Sequence, residues 1–352
     1  MHHRHPRGPS RGHPHHLRRV PRLRGASRSP APARGRDRLM TGARRLRVAA
    51  CLLVLALTAP GALAYTTDTR QTLTFTAAKR FNRCVEGTDV PRLTALQVRN
   101  LVRGNLREAE RNVFRRSMRW SYYDRSGADD KRLLWTIETR LHGRYDATRD
   151  NVFAEEGVSE NDRYVFLGII AHYLQTVTVP ADVVPIFHPR PWRWPAGDRF
   201  TQYELPEEVL EARLGDLCPE LLATPTDETF GTLLDRTAAA TMAAIRSPIA
   251  DMNATWQAFW EEDEPGRFGS YGPAGNSFGR GTRFPCGEDR CLLLDDDPIY
   301  EEFAARQQRL AVLGTMRAVL LLQRFRAARD ASLLEIAEPY RDPVTAIEDS
   351  GG

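Results

Sequence analysis

Histidine is the residue type to begin with, because it binds metal and moves protons near neutral pH. Of nine histidines, six lie before residue 40, which leaves His142, His172 and His188 for the body of the chain. His172 stands in AHYLQTVTVPADVVPIFH, a helix-like run followed by a turn. Metal-assisted hydrolysis needs imidazoles and carboxylates converging on a divalent ion, which polarises the substrate and turns bound water into a nucleophile. On a helix, residue i+4 shares a face with residue i, so a carboxylate at 176 would chelate together with His172. That position holds Thr176, a neutral hydroxyl and a poor zinc ligand. Asp182, just past the helix end, can still ligate, and so can Glu108 or Glu110 in GNLREAE, Asp124 and Asp198.

The elements that would position these groups are mainly helices. Apolar spacing of three and four residues recurs and period-two alternation is scarce. The pattern predicts an all-α fold, with helices over 72–83, 94–114, 129–145, 161–177, 206–217, 226–245, 251–262 and 298–331. The last is long and apolar, with Leu310, Leu313, Met316, Leu320 and Leu321, and should be central to the core. Two irregular stretches, 180–206 and 264–297, break the helical reading. The first carries Trp192, Trp194, Phe200 and Tyr203, which either line a groove or pin the loop to the core. The glycine run of the second lacks a Gly-Lys-Ser/Thr ending, which argues against a nucleotide site.

Residues 1–39 are rich in Arg, His and Pro and offer no core. They read as a disordered extension or a misassigned start more readily than as a nucleic-acid-binding arm. Met40 then opens a secretory signal over 40–64: Arg44, Arg45 and Arg47, an apolar run from Val48 to Leu57, and Ala62-Leu63-Ala64 before Tyr65. Cleavage after Ala64 leaves Tyr65 as the mature N-terminus, its free amine a further candidate ligand, and leaves no transmembrane segment. An uncleaved signal anchor is the alternative. Residues 1–39 hold 11 Arg and one Asp, and 40–64 three Arg, so the net charge of +5 becomes −8 in the mature chain. An acidic protein is a poor match for nucleic acid. Four cysteines remain, Cys84, Cys218, Cys286 and Cys291, an even count that favours disulfides in an exported chain. Cys286 and Cys291 bracket CGEDRC and are the expected pair, while the partner of Cys84 or Cys218 is left open.

Several segments together resemble a family. HYLQTVTVPADVVPIFH is similar to the HYLGD...QPxH segment of zinc-dependent phospholipases C and single-strand-specific nucleases, and closer to the HxxQDxxVPxHVxP form in exported bacterial relatives. TRQTLT resembles T-H-x-x-L-T, RWSYYD resembles W-H-F-Y-D, DRFTQY resembles a segment with F-E-x-Y, and FWEEDEPGRFGSYGPAGNSFG resembles the bacterial group. The resemblance spans most of the mature chain and implies a single multi-helix domain over 65–335, with 336–352 as a tail. It also implies a zinc cluster, but most ligand positions hold something else. Arg70, Ser121, Gly197 and Thr201 replace three histidines and a glutamate, Thr176 replaces the metal-bridging carboxylate, and Asp182 replaces a histidine. Arg70 is the most damaging, since a permanent cation repels dications.

The surviving set is His172, Asp182, Asp124, Glu108, Asp198 and the Tyr65 amine. Each has a structural alternative. His172 borders an apolar face with Val165, Ile169 and Tyr173, where a hydrogen-bonded core histidine is expected. His142 reads as surface, and His188 as a loop residue facing solvent. Asp182 suits a turn. Arg70 with Glu108, Glu110 or Asp182 would form a buried ion pair where zinc once sat. The leading expectation is therefore an exported protein with a degenerate metal site that binds without catalysing and needs no cofactor. A metal-dependent phosphodiester hydrolase with a reduced zinc site is the second reading, and a signal-anchored envelope interaction protein the third. Its ligand would be an envelope partner or a phosphodiester- or phospholipid-like molecule.

Overall fold

The computed structural model describes residues 65–109, 119–123, 132–133, 136–154, 156–186, 197–264 and 268–337. These residues are mostly helical, as the apolar spacing predicts. Thr66 caps α1 (Thr67–Cys84) by accepting the Thr69 backbone N–H, and Asp68 adds a first-turn acid. These two start signals extend α1 ahead of its first periodic apolar residue, so it begins earlier than residue 72. Leu73, Ala77, Ala78 and Phe81 form its buried face.

α2 (Ala95–Ala109) lies against α4 (Glu160–Thr176), which Ser159 caps through the Asp162 N–H. Their backbones meet at two glycines. A Cβ on Gly104 would fall 2.0 Å from the Val165 carbonyl oxygen, and one on Gly168 would fall 2.1 Å from that of Leu101. Only the absence of a side chain at both positions permits this approach. α4 stops where the Thr178 hydroxyl bonds the Gln175 carbonyl, and Pro180 opens the short α5 (Pro180–Val183) that carries Asp182.

Among the described residues, the helix expected over 129–145 is found only from Leu141 onward. β3 (Thr136–Arg140) pairs in parallel with β1 (Arg119–Tyr122) and antiparallel with β2 (Arg132–Leu133), and α3 (Leu141–Phe153) begins only afterwards. Thr136, Ile137 and Thr139 are β-branched and favour strand, which the three-and-four spacing of Leu133, Ile137 and Leu141 concealed.

The expected helix 206–217 divides into α6 (Glu207–Leu214) and α7 (Cys218–Leu222), because Gly215 takes φ +60 between them. α8 (Phe230–Arg246) starts later than 226, at a capping box made by Thr229 and Thr232. The helix expected over 251–262 shrinks to one 3-10 turn, Trp256–Ala258. Asp251 sits at φ +59, which a helix forbids, and the Ile249 N–H closes a tight loop onto the Ala254 carbonyl at 2.9 Å. Trp256, Phe259 and Trp260 instead enter an aromatic cluster with Phe200, Phe278 and Phe303; the rings of Trp256 and Phe303 are 4.2 Å apart.

An unanticipated hairpin follows, β4 (Thr282–Cys286) with β5 (Asp289–Leu293), in the register Phe284 opposite Cys291. The expected disulfide Cys286–Cys291 closes it, with Gly287 at φ +68 in the turn. A second disulfide, Cys84–Cys218, ties the end of α1 to the start of α7 across 134 residues of sequence. α9 (Pro298–Ala337) is the long central helix that its apolar residues predict. It buries Phe303, Val312, Met316, Val319 and Leu320 and packs on α1, α4 and α8. Among the described residues no helix is long and apolar enough to cross a membrane.

Candidate functional site

α1, α2, α4 and α5 meet around one buried cation. Arg70 is 1% exposed, and its position on α1 turns it inward beside Leu73 and Thr74. Its Nη1 donates to the His172 carbonyl at 3.0 Å and its Nη2 to Thr176 Oγ1 at 3.1 Å. Thr176 in turn donates to the same His172 carbonyl at 2.8 Å, so guanidinium, hydroxyl and carbonyl close a ring across one turn of α4. Burial lowers the Arg70 pKa to about 10, while the charges of Asp182, Tyr65 and Glu108 act to raise it. At neutral pH the guanidinium is charged and faces two carboxylates.

Those carboxylates have their own supports. Glu108, buried at the end of α2, accepts the Tyr173 hydroxyl at 2.8 Å and Arg144 Nη1 from α3 at 3.3 Å. The Asp182 carbonyl accepts the Tyr123 backbone N–H at 2.9 Å, which joins α5 to the end of β1. Tyr65 is buried at φ +44, with its hydroxyl 3.2 Å from Thr178 Oγ1 and its ring 5.8 Å from Phe200. Burial pushes its phenol well above the ordinary value.

The structure therefore brings together Tyr65, Arg70, Glu108, His172, Thr176 and Asp182. His172 is half-buried and edge-on to Tyr173 at 5.5 Å. Asp198, Gly197 and Thr201 gather instead at the 3-10 turn Arg199–Gln202. There Asp198 accepts the Phe200 N–H at 2.8 Å, Trp260 Nε1 at 2.8 Å and the Tyr271 hydroxyl at 3.2 Å. Burial raises the Asp198 pKa, and three donors hold its two oxygens in place. Thr201 Oγ1 donates to the Asp198 carbonyl and the Gly197 carbonyl accepts Asn276 Nδ2. This is the work of a turn anchored to the aromatic cluster, and Phe200 pins the loop as one sequence reading expected. Ser121 belongs to β1. Glu110, Asp124, His188, Trp192 and Trp194 lie outside the described residues. His142 is partly exposed, with Nε2 3.6 Å from Asp235 Oδ1 and its ring 4.9 Å from that of Tyr123.

One part of the cluster was not anticipated. Asn105 Nδ2 donates to Thr74 Oγ1 at 2.9 Å and to Gln175 Oε1 at 3.0 Å, Gln175 Nε2 donates to Thr74 Oγ1 at 2.9 Å, and Thr74 donates to the Arg70 carbonyl at 2.8 Å. All three side chains are fully buried. The signal was present in the sequence, since Gln175 and Asn105 are amides at buried-face positions of two apolar helices, where a polar group needs a partner.

The zinc cluster implied by the resemblance can be tested on this donor set. At 70 and 176 the chain offers a guanidinium and a hydroxyl bonded to each other, and the cation lies close enough to Asp182 and Glu108 to feel their charge. A dication there would meet a fixed positive charge and displace it from the His172 carbonyl and the Thr176 hydroxyl, so the residues do not fit zinc. Among the described residues no three His, Cys, Asp or Glu side chains are grouped to hold a metal ion. What the arrangement does chemically is balance one buried and one half-buried carboxylate, Glu108 and Asp182, with cations supplied by the chain itself. Compared with models of protein families, with curated proteins and with solved structures, the chain finds no match.

Proposed function

We propose that this is an exported, non-hydrolytic protein built on the helical scaffold of the zinc-dependent phospholipases C and single-strand-specific nucleases, in which Arg70 stands in for the metal. The Arg70 to Thr176 hydrogen bond carries the reading, because it joins two positions at which the resemblance expects metal ligands. A guanidinium there holds α1 to α4 and neutralises Asp182 and Glu108 without activating water, so the scaffold is kept while the chemistry is lost. The two disulfides support export, as such bonds persist in oxidising compartments. The remaining role is binding, of an envelope partner or a small ligand.

The test is metal content by plasma mass spectrometry on protein that begins at Tyr65 and is purified without chelator. The expected result is far less than one equivalent of zinc or manganese, even after soaking, and no chelator-sensitive hydrolysis of a phosphodiester such as bis(p-nitrophenyl) phosphate. Near-stoichiometric metal that disappears in His172→Ala would overturn the proposal. The double substitution Arg70→His with Thr176→Asp is expected to gain zinc, because it removes the cation and restores an i, i+4 carboxylate.

A further inference from the structure

The β4–β5 hairpin leaves one edge open. Its turn has two residues, Gly287 and Glu288, so Cys286 and Asp289 face each other as a hydrogen-bonded pair. Alternation along the ladder makes Phe284 with Cys291 and Thr282 with Leu293 the next such pairs. Arg290 and Leu292 hold the positions between, and their backbone N–H and C=O groups point away from β4. The sheet has two strands, and no other described residue bonds to those groups. On β4 the matching edge is interrupted by Pro285, which has no N–H. β5 is therefore the edge that can take another strand.

The side chains beside this edge form a contact surface. Burial alternates along β5, with Cys291 and Leu293 inward and Leu292 and Leu294 outward at 51% and 63% exposed. Arg290 and Arg283, which lies opposite Leu292, share the outer face, and neither has an ion-pair partner among the described residues. The Cys286–Cys291 disulfide and the buried Phe284 hold the ribbon in place, so little ordering is needed to bind. Charge and backbone together select the occupant. A membrane offers no row of amides to the open edge, and the exposed Glu288, Asp289, Asp295 and Asp296 at its two ends repel anionic lipid. A second copy pairing through β5 is a poor match as well. Its outward residues are Arg290, Leu292 and Leu294, and the next, Asp296, sits at φ +52 beyond the extended run, so no acid comes opposite Arg290.

We propose that β5 docks an extended segment of a partner protein by antiparallel strand addition, with an acidic side chain opposite Arg290 and apolar side chains opposite Leu292 and Leu294. Residues on one face of a strand are two apart, so the partner carries the pattern apolar-x-apolar-x-acid. Backbone hydrogen bonds at Arg290 and Leu292 supply the pairing, the leucines bury apolar area, and Arg290 fixes the register. The surface shares no residue with the Arg70 cluster and stands whether or not that cluster holds metal.

The test follows backbone amide signals by nuclear magnetic resonance on the oxidised exported chain. The probe is a capped seven-residue peptide in which valine, valine and glutamate, in that order, alternate with threonine. Saturable shifts at Arg290, Leu292 and Leu294 are expected, with a dissociation constant of about 1 mM or below, since the contact is one short strand. N-methylation of the central valine removes the N–H that meets the Leu292 carbonyl and should abolish the shifts. Lysine in place of the glutamate should weaken binding about fivefold, and the exposed substitution Arg290→Glu, checked for folding by circular dichroism, should reverse that preference. No saturable shift at the hairpin would overturn the proposal, as would equal binding of the N-methylated peptide or a preference for glutamate that survives Arg290→Glu. Hairpin shifts caused by phosphatidylglycerol vesicles but not by the peptide would overturn it in favour of a lipid surface. A dimer in sedimentation that is lost in Leu292→Asp would overturn it in favour of a second copy.

Discussion

Arg70 Nη2 lies 3.1 Å from Thr176 Oγ1, so two residues that each look like the loss of a ligand are hydrogen-bonded to one another. Either alone would leave a fault in the core. A carboxylate at 176 with a histidine at 70 needs a metal, and an arginine at 70 needs an acceptor and a negative neighbour. The pair satisfies both needs with groups from the chain.

The cluster makes Arg70 a stability residue. Arg70→Met should cost about 3–5 kcal/mol, because Asp182 and Glu108 lose their buried counter-charge. Thr176→Val removes one acceptor and should cost about 1 kcal/mol. The double variant should cost less than the sum of the two, since both remove the same bond. Urea unfolding of the three variants measures this, and a loss below about 1 kcal/mol for Arg70→Met would show that the guanidinium does not hold the cluster.

The crossing of α2 and α4 depends on two glycines. Gly104→Ala and Gly168→Ala each place a methyl group at about 2 Å from a backbone oxygen, so the helices must separate. A loss of at least about 2 kcal/mol is expected for each, against the slight gain that alanine brings to an open helix position. Thermal melting of Gly143→Ala, where nothing lies within 4 Å, is the control. Equal melting temperatures for all three variants would refute the close approach.

The disulfides should differ in weight. Cys84–Cys218 closes a span of 134 residues and Cys286–Cys291 a span of 5. Chain entropy assigns about 5 kcal/mol to the first and about 2 kcal/mol to the second. Replacing Cys84 and Cys218 by alanine should therefore lower the urea midpoint more than replacing Cys286 and Cys291. A peptide map without reductant that joins different cysteines would remove the basis for this ranking.

Alkaline pH should unfold the protein through its tyrosines. Burial raises the phenols of Tyr65 and Tyr145 above their ordinary value of 10.0. Above pH 10 the unfolded chain loses protons that the folded chain keeps, so stability falls as pH rises. Arg70 opposes this, because its folded value of about 10 lies below the ordinary 12.5 and the folded state sheds its proton first. The buried tyrosines outnumber it. Urea midpoints at pH 8 and pH 11 should show the fall, and Tyr65→Phe should make it shallower. A midpoint that stays level or rises would contradict the assignment.

Much of the fold is legible along the chain. α4, α8 and α9 follow from apolar spacing and capping residues within a few positions, because those signals act over one or two helical turns. The 129–145 and 251–262 segments were misread for the same reason. Their spacing is helical, but β3 is held by strands elsewhere in sequence and the Trp256 turn by aromatic rings from distant segments. No local pattern records a partner of that kind.

The candidate site divides in the same way. By itself the sequence determined that few histidines remain and that Cys286 and Cys291 are close enough to pair, and its resemblance to the zinc-dependent family set the expectation that Arg70 and Thr176 stand at ligand positions. Only the tertiary structure decided that Arg70 meets Thr176, that Asp198 serves a turn and an indole, and that Cys84 finds Cys218. Residue type sets what a group can do, whereas its protonation, its partner and its access depend on which distant helices close around it.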